Sequence, residues 1–192
     1  MPRFARAELD AFRGVSVPDL LPEGELKLLF VGINPGLWTA AVQTHFAHPV
    51  NRFYPALYEA GIITERIDPA AGTTSAQRAH LTDRGIGICN LVQRATARAD
   101  ELSKSELIAG AAALTDLVRA RRPKVVAVAG ITAYRVAFGH PKAVEGRQPE
   151  LLADSILWVV PNSSGLNAHE TVATLAIKYA EPARVAGVIE PA

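Results

Sequence analysis

Three short runs of this chain are apolar at every position: Leu28-Leu29-Phe30-Val31, Val125 to Ala129, and Ile156 to Val160. A strand with one wet face alternates, so a run with no polar member predicts a strand buried on both faces, as in a parallel sheet covered by helices. Gly85 to Val92, which alternates Gly with Ile before Leu91 and Val92, predicts another short strand. Helical signals fall between these runs. Ser103 with Glu106 three residues on makes a capping box, and Leu107, Ala111, Leu114, Leu117 and Val118 then share one face. Asn51 to Ala60 has Phe53, Leu57 and Ala60 at helical spacing, with Asn51 as cap and Gly61 as stop. Shorter helices are expected at Ser75 to Leu81 and Thr132 to Phe138, and a closing one at His169 to Tyr179. Strand and helix in alternation predict an α/β fold: a three-layer α/β/α sandwich with a central, mainly parallel sheet and its ligand site outside the carboxyl ends of the strands. The 192 residues suit one domain, with an N-terminal arm or short helix over 1–22, a core over 23–180 and a tail over 181–192.

Cysteine and histidine placement removes several chemistries. Cys89 is the single cysteine, which excludes an internal disulfide and any four-thiolate cluster made by this chain alone. His45, His48, His80, His140 and His169 show no HxxxH or HExxH spacing, so no metal and no cofactor are expected. Phosphate-loop and GxSxG signatures are missing as well. With a net charge of +1, any nucleic-acid surface has to be local. No run approaches the ~20 apolar residues of a membrane span, and a cytoplasmic, monomeric protein is expected.

Two strand ends carry unusual residues. Gly32-Ile33-Asn34-Pro35-Gly36 is a tight turn with no strong base in it. Its backbone N–H groups and the Asn34 amide could converge on a nucleobase edge or a water molecule, or Asn34 could simply bond its own backbone. Pro161-Asn162-Ser163-Ser164-Gly165-Leu166-Asn167 is polar apart from Leu166. That leucine is either a wedge able to enter a base stack or a residue packed beneath the loop before the last helix. Between them, Phe46 and Phe53 bracket a polar stretch; Phe46 could stack on a planar substrate, or both could be core residues, with His48 a structural histidine.

Taken together, Gly32-Ile33-Asn34-Pro35-Gly36-Leu37, Ala47-His48-Pro49-x-Asn51-Arg52-Phe53 and Asn162-Ser163-Ser164-Gly165-Leu166 resemble the mismatch-specific uracil/thymine-DNA glycosylases in order and spacing. The resemblance extends from about Leu26 to Tyr179. Asn34 stands where other branches of the uracil-DNA glycosylase superfamily carry Asp, Glu or Ala.

What the resemblance implies is a uracil-DNA glycosylase-like fold and a monofunctional hydrolase of base-excision repair. It would cleave the N-glycosidic bond of uracil, with thymine or exocyclic cytosine adducts as further substrates, in mismatched double-stranded DNA after base flipping. Asn34 would position the attacking water, with Asn90 as a second water-positioning amide or a plain strand-end cap. Ile33 and Phe46 would offer backbone donors to the base, Phe46 would stack on it, and Thr39 would line its C5 edge, with Gly36 and Asn162 completing the pocket. Gly165, Leu166 and Asn167 would form the DNA wedge. Relatives with an Arg two residues past the wedge leucine differ from this chain, which has Ala168 there. The rival readings are a uracil glycosylase that tolerates single strands and a module that binds lesions without cutting them.

Overall fold

Among residues 4–191, which the computed structural model describes, five strands form one sheet: β1 (Leu28–Gly32), β2 (Ile86–Asn90), β3 (Val125–Ala129), β4 (Gly146–Leu152) and β5 (Ser155–Val160). Their order is β2-β1-β3-β5-β4, with β4 the antiparallel member at one edge. Arg3 of the N-terminal arm lies outside the described residues. The α/β architecture with a mostly parallel sheet is the one the apolar runs predict. All five residues of β1, β2 and β3 are buried.

Seven helices surround the sheet among the described residues: α1 (Arg6–Asp10), α2 (Leu37–Val42), α3 (Phe53–Glu59), α4 (Ser75–Thr82), α5 (Lys104–Arg121), α6 (Ile131–Ala137) and α7 (Val172–Ala186). Side chains alternate along each strand. Leu28, Phe30, Val125, Ala127 and Val160 therefore pack beneath α3 and α7, and Leu29, Val31, Val126, Val128 and Val159 beneath α5 and α6. The capping box of α5 forms as read, with Glu106 N–H donating to Ser103 Oγ at 3.2 Å and Ser103 N–H to Glu106 Oε2 at 2.9 Å.

Three elements differ from the expectation. Strand β4 is not among the expected strands, since it contains Pro149 and alternates weakly, yet at an edge a proline interrupts no second neighbour. Its hairpin with β5 turns through Ala153 and Asp154 at φ +45° and +74°, the handedness tight hairpins require. The last helix starts after the Thr171 cap rather than at His169 and continues past Tyr179 to Ala186, beyond the boundary expected at 180. Burial of Pro182, Ala183 and Ala186 against the sheet outweighs the hydrogen bond lost at the proline. Finally, α2 follows directly from the first glycine turn. It shares a small apolar cluster with Val17, Leu9 and Phe12, and Leu20 bridges to Ile88, so the N-terminal arm is packed onto the core. No helix among the described residues is long and apolar enough to cross a membrane.

Because β1 lies between β2 and β3, the chain leaves β1 to one side and later returns to the other. This puts a topological switch point at its carboxyl end, where doubly wound sheets open a crevice.

Candidate active site

The carboxyl ends of β1, β2 and β5 carry the loops that the sequence marks. Asn34 follows β1 in a half-buried turn. Its Nδ2 donates to the Arg94 carbonyl at 2.9 Å, to Thr96 Oγ1 at 2.7 Å and more weakly to the Pro35 carbonyl at 3.2 Å. The sense of the amide is forced. A carbonyl only accepts, and the Thr96 hydroxyl already donates to the Arg98 carbonyl at 2.7 Å, so it must accept from Asn34. Asn34 Oδ1 is left with no donor among the described residues, and Asn34 does more than satisfy its own turn.

That anchor is itself held. Thr96 N–H donates to the Pro35 carbonyl at 3.1 Å, and Gly36, the backbone cap of α2, bridges to Thr96. The Arg94 side chain pairs with Glu106 in the first turn of α5 at 2.7 Å. Arg94 and the Ser103 cap hold the Glu106 carboxyl down to about 2, so the pair stays charged through the neutral range. Arg94 and Thr96 do not stand out in the sequence, and Glu106 does so only as a helix cap, because each serves Asn34 across a distance that spacing does not reveal.

Asn90 ends β2 opposite Gly32 and is 8% exposed. Its Nδ2 lies 3.1 Å from His45 Nδ1. A Cβ on Gly32 would stand 2.5 Å from Asn90 Oδ1 and 3.2 Å from Phe46 Cζ. A side chain there would displace the Asn90 amide and crowd Phe46, so glycine suits this close approach with no help from an unusual φ.

Phe46 stacks on Phe53, with ring centroids 4.0 Å apart and planes 19° from parallel, and Phe53 meets Phe30 in the core. Phe53 is fully buried; Phe46 is half-buried and keeps an open side. Phe46 also sits at φ +55°, a strained setting for a bulky residue. Thr39, buried on α2, accepts the Ala47 N–H at 3.2 Å and so helps hold this backbone. The N–H groups of Ile33 and Phe46 have no acceptor among the described residues. Trp38, in contrast, is committed to packing, its indole N–H on the Ala70 carbonyl at 2.9 Å and its ring edge-on to Phe4 and His48. Burial pushes the His48 imidazole below its ordinary range, and its Nδ1 accepts the Val50 N–H.

In the loop after β5, Asn162 Oδ1 accepts the Ser164 N–H at 2.9 Å, and Asn167 Nδ2 donates to the Asn162 carbonyl at 2.9 Å. Both side chains shape the loop. Leu166 at its tip is 89% exposed, so it does not pack beneath the loop before α7. Gly165 abuts Val50: a Cβ on it would come within 2.4 Å of Val50 Cγ2 and 2.9 Å of the Val50 carbonyl oxygen. The loop is gripped by Arg52, whose guanidinium donates to the carbonyls of Ser164, Asn167 (2.8 Å) and Glu170. The sequence places Arg52 inside a motif but gives no hint that it joins the Phe46 segment to the wedge loop.

Two surface clefts, of about 600 and 590 Å³, lie at the other end of the sheet, lined among others by Lys27 and Gly85 before β1 and β2 and by Lys124 before β3. Neither touches these groups.

Comparison with known proteins agrees with this geometry. Residues 18–181 match the family model of the uracil DNA glycosylase superfamily. The fold is similar to the solution NMR structure of a protein from Methanosarcina acetivorans whose own description as a uracil DNA glycosylase is provisional, with a TM-score of 0.58 and 15% identity, covering 91% of this chain and 98% of that one. At that identity the likeness concerns the fold alone, whereas the family match spans most of the chain and includes all three marked loops. The chain belongs to the uracil DNA glycosylase superfamily.

Proposed function

We propose that this protein is a monofunctional, mismatch-specific DNA glycosylase that hydrolyses the N-glycosidic bond of uracil in double-stranded DNA, after the base has been flipped out of the stack. Family membership supports a DNA-acting glycosylase; the finer reading rests on the site. The observation that carries it is the Asn34 amide. Its nitrogen is spent on Arg94 and Thr96 and its oxygen is left without a donor, while the N–H groups of Ile33, in the same turn, and of Phe46, whose ring reaches Gly32, also lack partners among the described residues.

Cleaving this bond leaves positive charge on the sugar and negative charge on the departing pyrimidine. Backbone donors aimed at the pyrimidine oxygens stabilise that leaving group. Asn34 Oδ1 accepts a hydrogen bond from the attacking water and holds it near the anomeric carbon. A neutral amide orients the water without deprotonating it, so the expected turnover is slow. Phe46, backed by Phe53, stacks on the base, and Thr39 acts by fixing the backbone that presents it. Asn90 and Gly36 border the same turn, and Asn162 shapes the loop facing it. Leu166, carried by Gly165 and Asn167, fills the gap left by the flipped nucleotide, which costs least where the base is already mispaired.

The experiment is single-turnover cleavage of one labelled uracil placed opposite G, opposite A and in single-stranded DNA, with alkali to reveal abasic sites. Release from G·U alone is expected. Release in every context would replace the mismatch reading with a broad uracil glycosylase, and tight mismatch binding with no abasic product would replace it with a lesion-binding module.

A further inference from the structure

Ala95 lies between the two groups that accept from the Asn34 amide, the Arg94 carbonyl and the Thr96 hydroxyl. Residues 91–98 form neither helix nor strand beyond the bridge from Gly36 to Thr96, so these acceptors sit on backbone that other segments must hold. The holder is the arm before β1. Gly14 N–H donates to the Ala95 carbonyl at 3.0 Å, and Ala95 N–H donates to the Val15 carbonyl at 3.1 Å. Both backbone groups of Ala95 are thus spent on the arm. Ala95 is itself fully buried, in a cluster with Val17, Leu37 and Ala40 against which Leu9, Phe12 and Val15 pack. Gln43, at the end of α2, donates to the Ser16 carbonyl at 3.2 Å.

A second grip is ionic. Arg13 Nη1 lies 2.6 Å from Glu101 Oε2, and the Glu101 carbonyl accepts from Arg94 Nη2 at 3.3 Å. Arg13 is exposed, so screening by water leaves this pair a minor contribution. The backbone pair and the burial of Val17 carry the attachment. Gly14 turns the arm toward Ala95 at φ +78°, and a Cβ on it would meet nothing within 4 Å. The superfamily match covers residues 18–181, so residues 13–17 lie outside it.

We propose that residues 13–17 are a positioning element for Asn34: by clamping Ala95 they fix the Arg94 carbonyl and the Thr96 hydroxyl, and through these the sense and place of the Asn34 amide. The proposal rests on the glycosylase reading and assigns part of its catalytic precision to a segment that the family match does not include. The arm touches neither base nor water. Its effect falls on the step that needs the water held in line, because a small displacement of a positioning group costs rate far more than it costs affinity. DNA binding, which depends on the loop after β5, is left as it was.

The test compares Gly14→Pro, which removes the N–H and cannot adopt a positive φ, with Gly14→Asn, which keeps the N–H and tolerates that φ. Single-turnover uracil release from a G·U duplex at saturating enzyme reads the chemical step, and anisotropy reads mismatch binding. Gly14→Pro is expected to be slowed about tenfold or more with its circular dichroism intact and its affinity within about threefold of the wild type, and Gly14→Asn to recover to within about threefold. In an Asn34→Ala background Gly14→Pro should cost less than about twofold, since the amide it would displace is gone. Wild-type release by Gly14→Pro, no recovery in Gly14→Asn, or the same slowing with and without Asn34 would overturn the proposal. Should Gly14→Pro fail to fold, Val17→Ala, a smaller loss from the same cluster, is expected to give the same pattern at about threefold, and an unchanged rate there overturns it. If the wild type releases no uracil from any DNA, the glycosylase reading fails separately. The side-chain amide resonances of Asn34, identified by their loss in Asn34→Ala, still decide the coupling: a shift in Gly14→Pro upholds it, and unmoved resonances overturn it.

Discussion

The turn after β1 and the loop after β5 lie at the same end of the sheet, beyond the carboxyl ends of its parallel strands, but are built in opposite ways. Around Asn34 and Asn90, side-chain amides are themselves held in buried or half-buried positions, Asn34 by the Arg94 carbonyl and the Thr96 hydroxyl and Asn90 by the His45 imidazole, and each amide has one allowed sense because its partners accept. In the loop after β5, Arg52 grips backbone carbonyls and leaves the tip bare, with Leu166 almost wholly in water. The difference teaches what each region has to do. A group that places a water or reads a base must be held to a fraction of an ångström before substrate arrives. A group that enters a duplex has to stay uncovered until the duplex covers it, and only its mount needs to be rigid.

Four substitutions break or sharpen this contrast, in falling order of expected effect on cleavage. Asn34→Ala removes the water's acceptor and should slow single-turnover uracil release by about a hundredfold or more. The melting temperature should fall only slightly, since the lost amide bonds contribute on the order of 1 kcal/mol each. Near-wild-type release would reassign the chemistry to Asn90. Gly32→Ala forces a Cβ to within 2.5 Å of Asn90 Oδ1, so both stability and release should drop, the former by about 1–3 kcal/mol in denaturant titration. An unaffected variant would mean that the Asn90 and Phe46 side chains can move aside freely. Arg52→Ala leaves the Asn167 and Glu170 carbonyls without their donor and takes one of two donors from Ser164, and should destabilise the protein by about 1–3 kcal/mol while weakening mismatch binding about tenfold. Urea melts and fluorescence anisotropy measure the two effects. Leu166→Ala should leave stability within about 0.5 kcal/mol, because the side chain is exposed, and lower release from G·U duplex by a few-fold without touching a single-stranded substrate. Equal losses on both substrates would remove Leu166 from any wedge role.

The central strands were legible because an unbroken apolar run has one economical explanation, burial on both faces, and α5 because Ser103 and Glu106 cap it locally. Strand β4 and the end of α7 were not. Arg147 to Glu150 gives no periodic signal, and Pro182 signals a stop that packing of Ala183 and Ala186 overrides. Of the site, Asn34, Phe46 and Leu166 stood out as residues out of character with their surroundings. Thr96 and His45 did not, since nothing in their own neighbourhoods distinguishes them from ordinary turn residues, and the motif that holds Arg52 and the capping box that holds Glu106 say nothing of the distant groups these two side chains meet.

By itself, the sequence determined the layered α/β architecture, the three loops that carry chemistry and the family resemblance, all of which depend on residue type and short-range order. Tertiary structure decided which way each amide faces, what clamps the wedge loop and what a side chain at Gly32 would displace. Those depend on donors and acceptors brought together from distant positions, such as Asn34 with Thr96 and His45 with Asn90, and hydrogen-bond direction exists only once such groups meet.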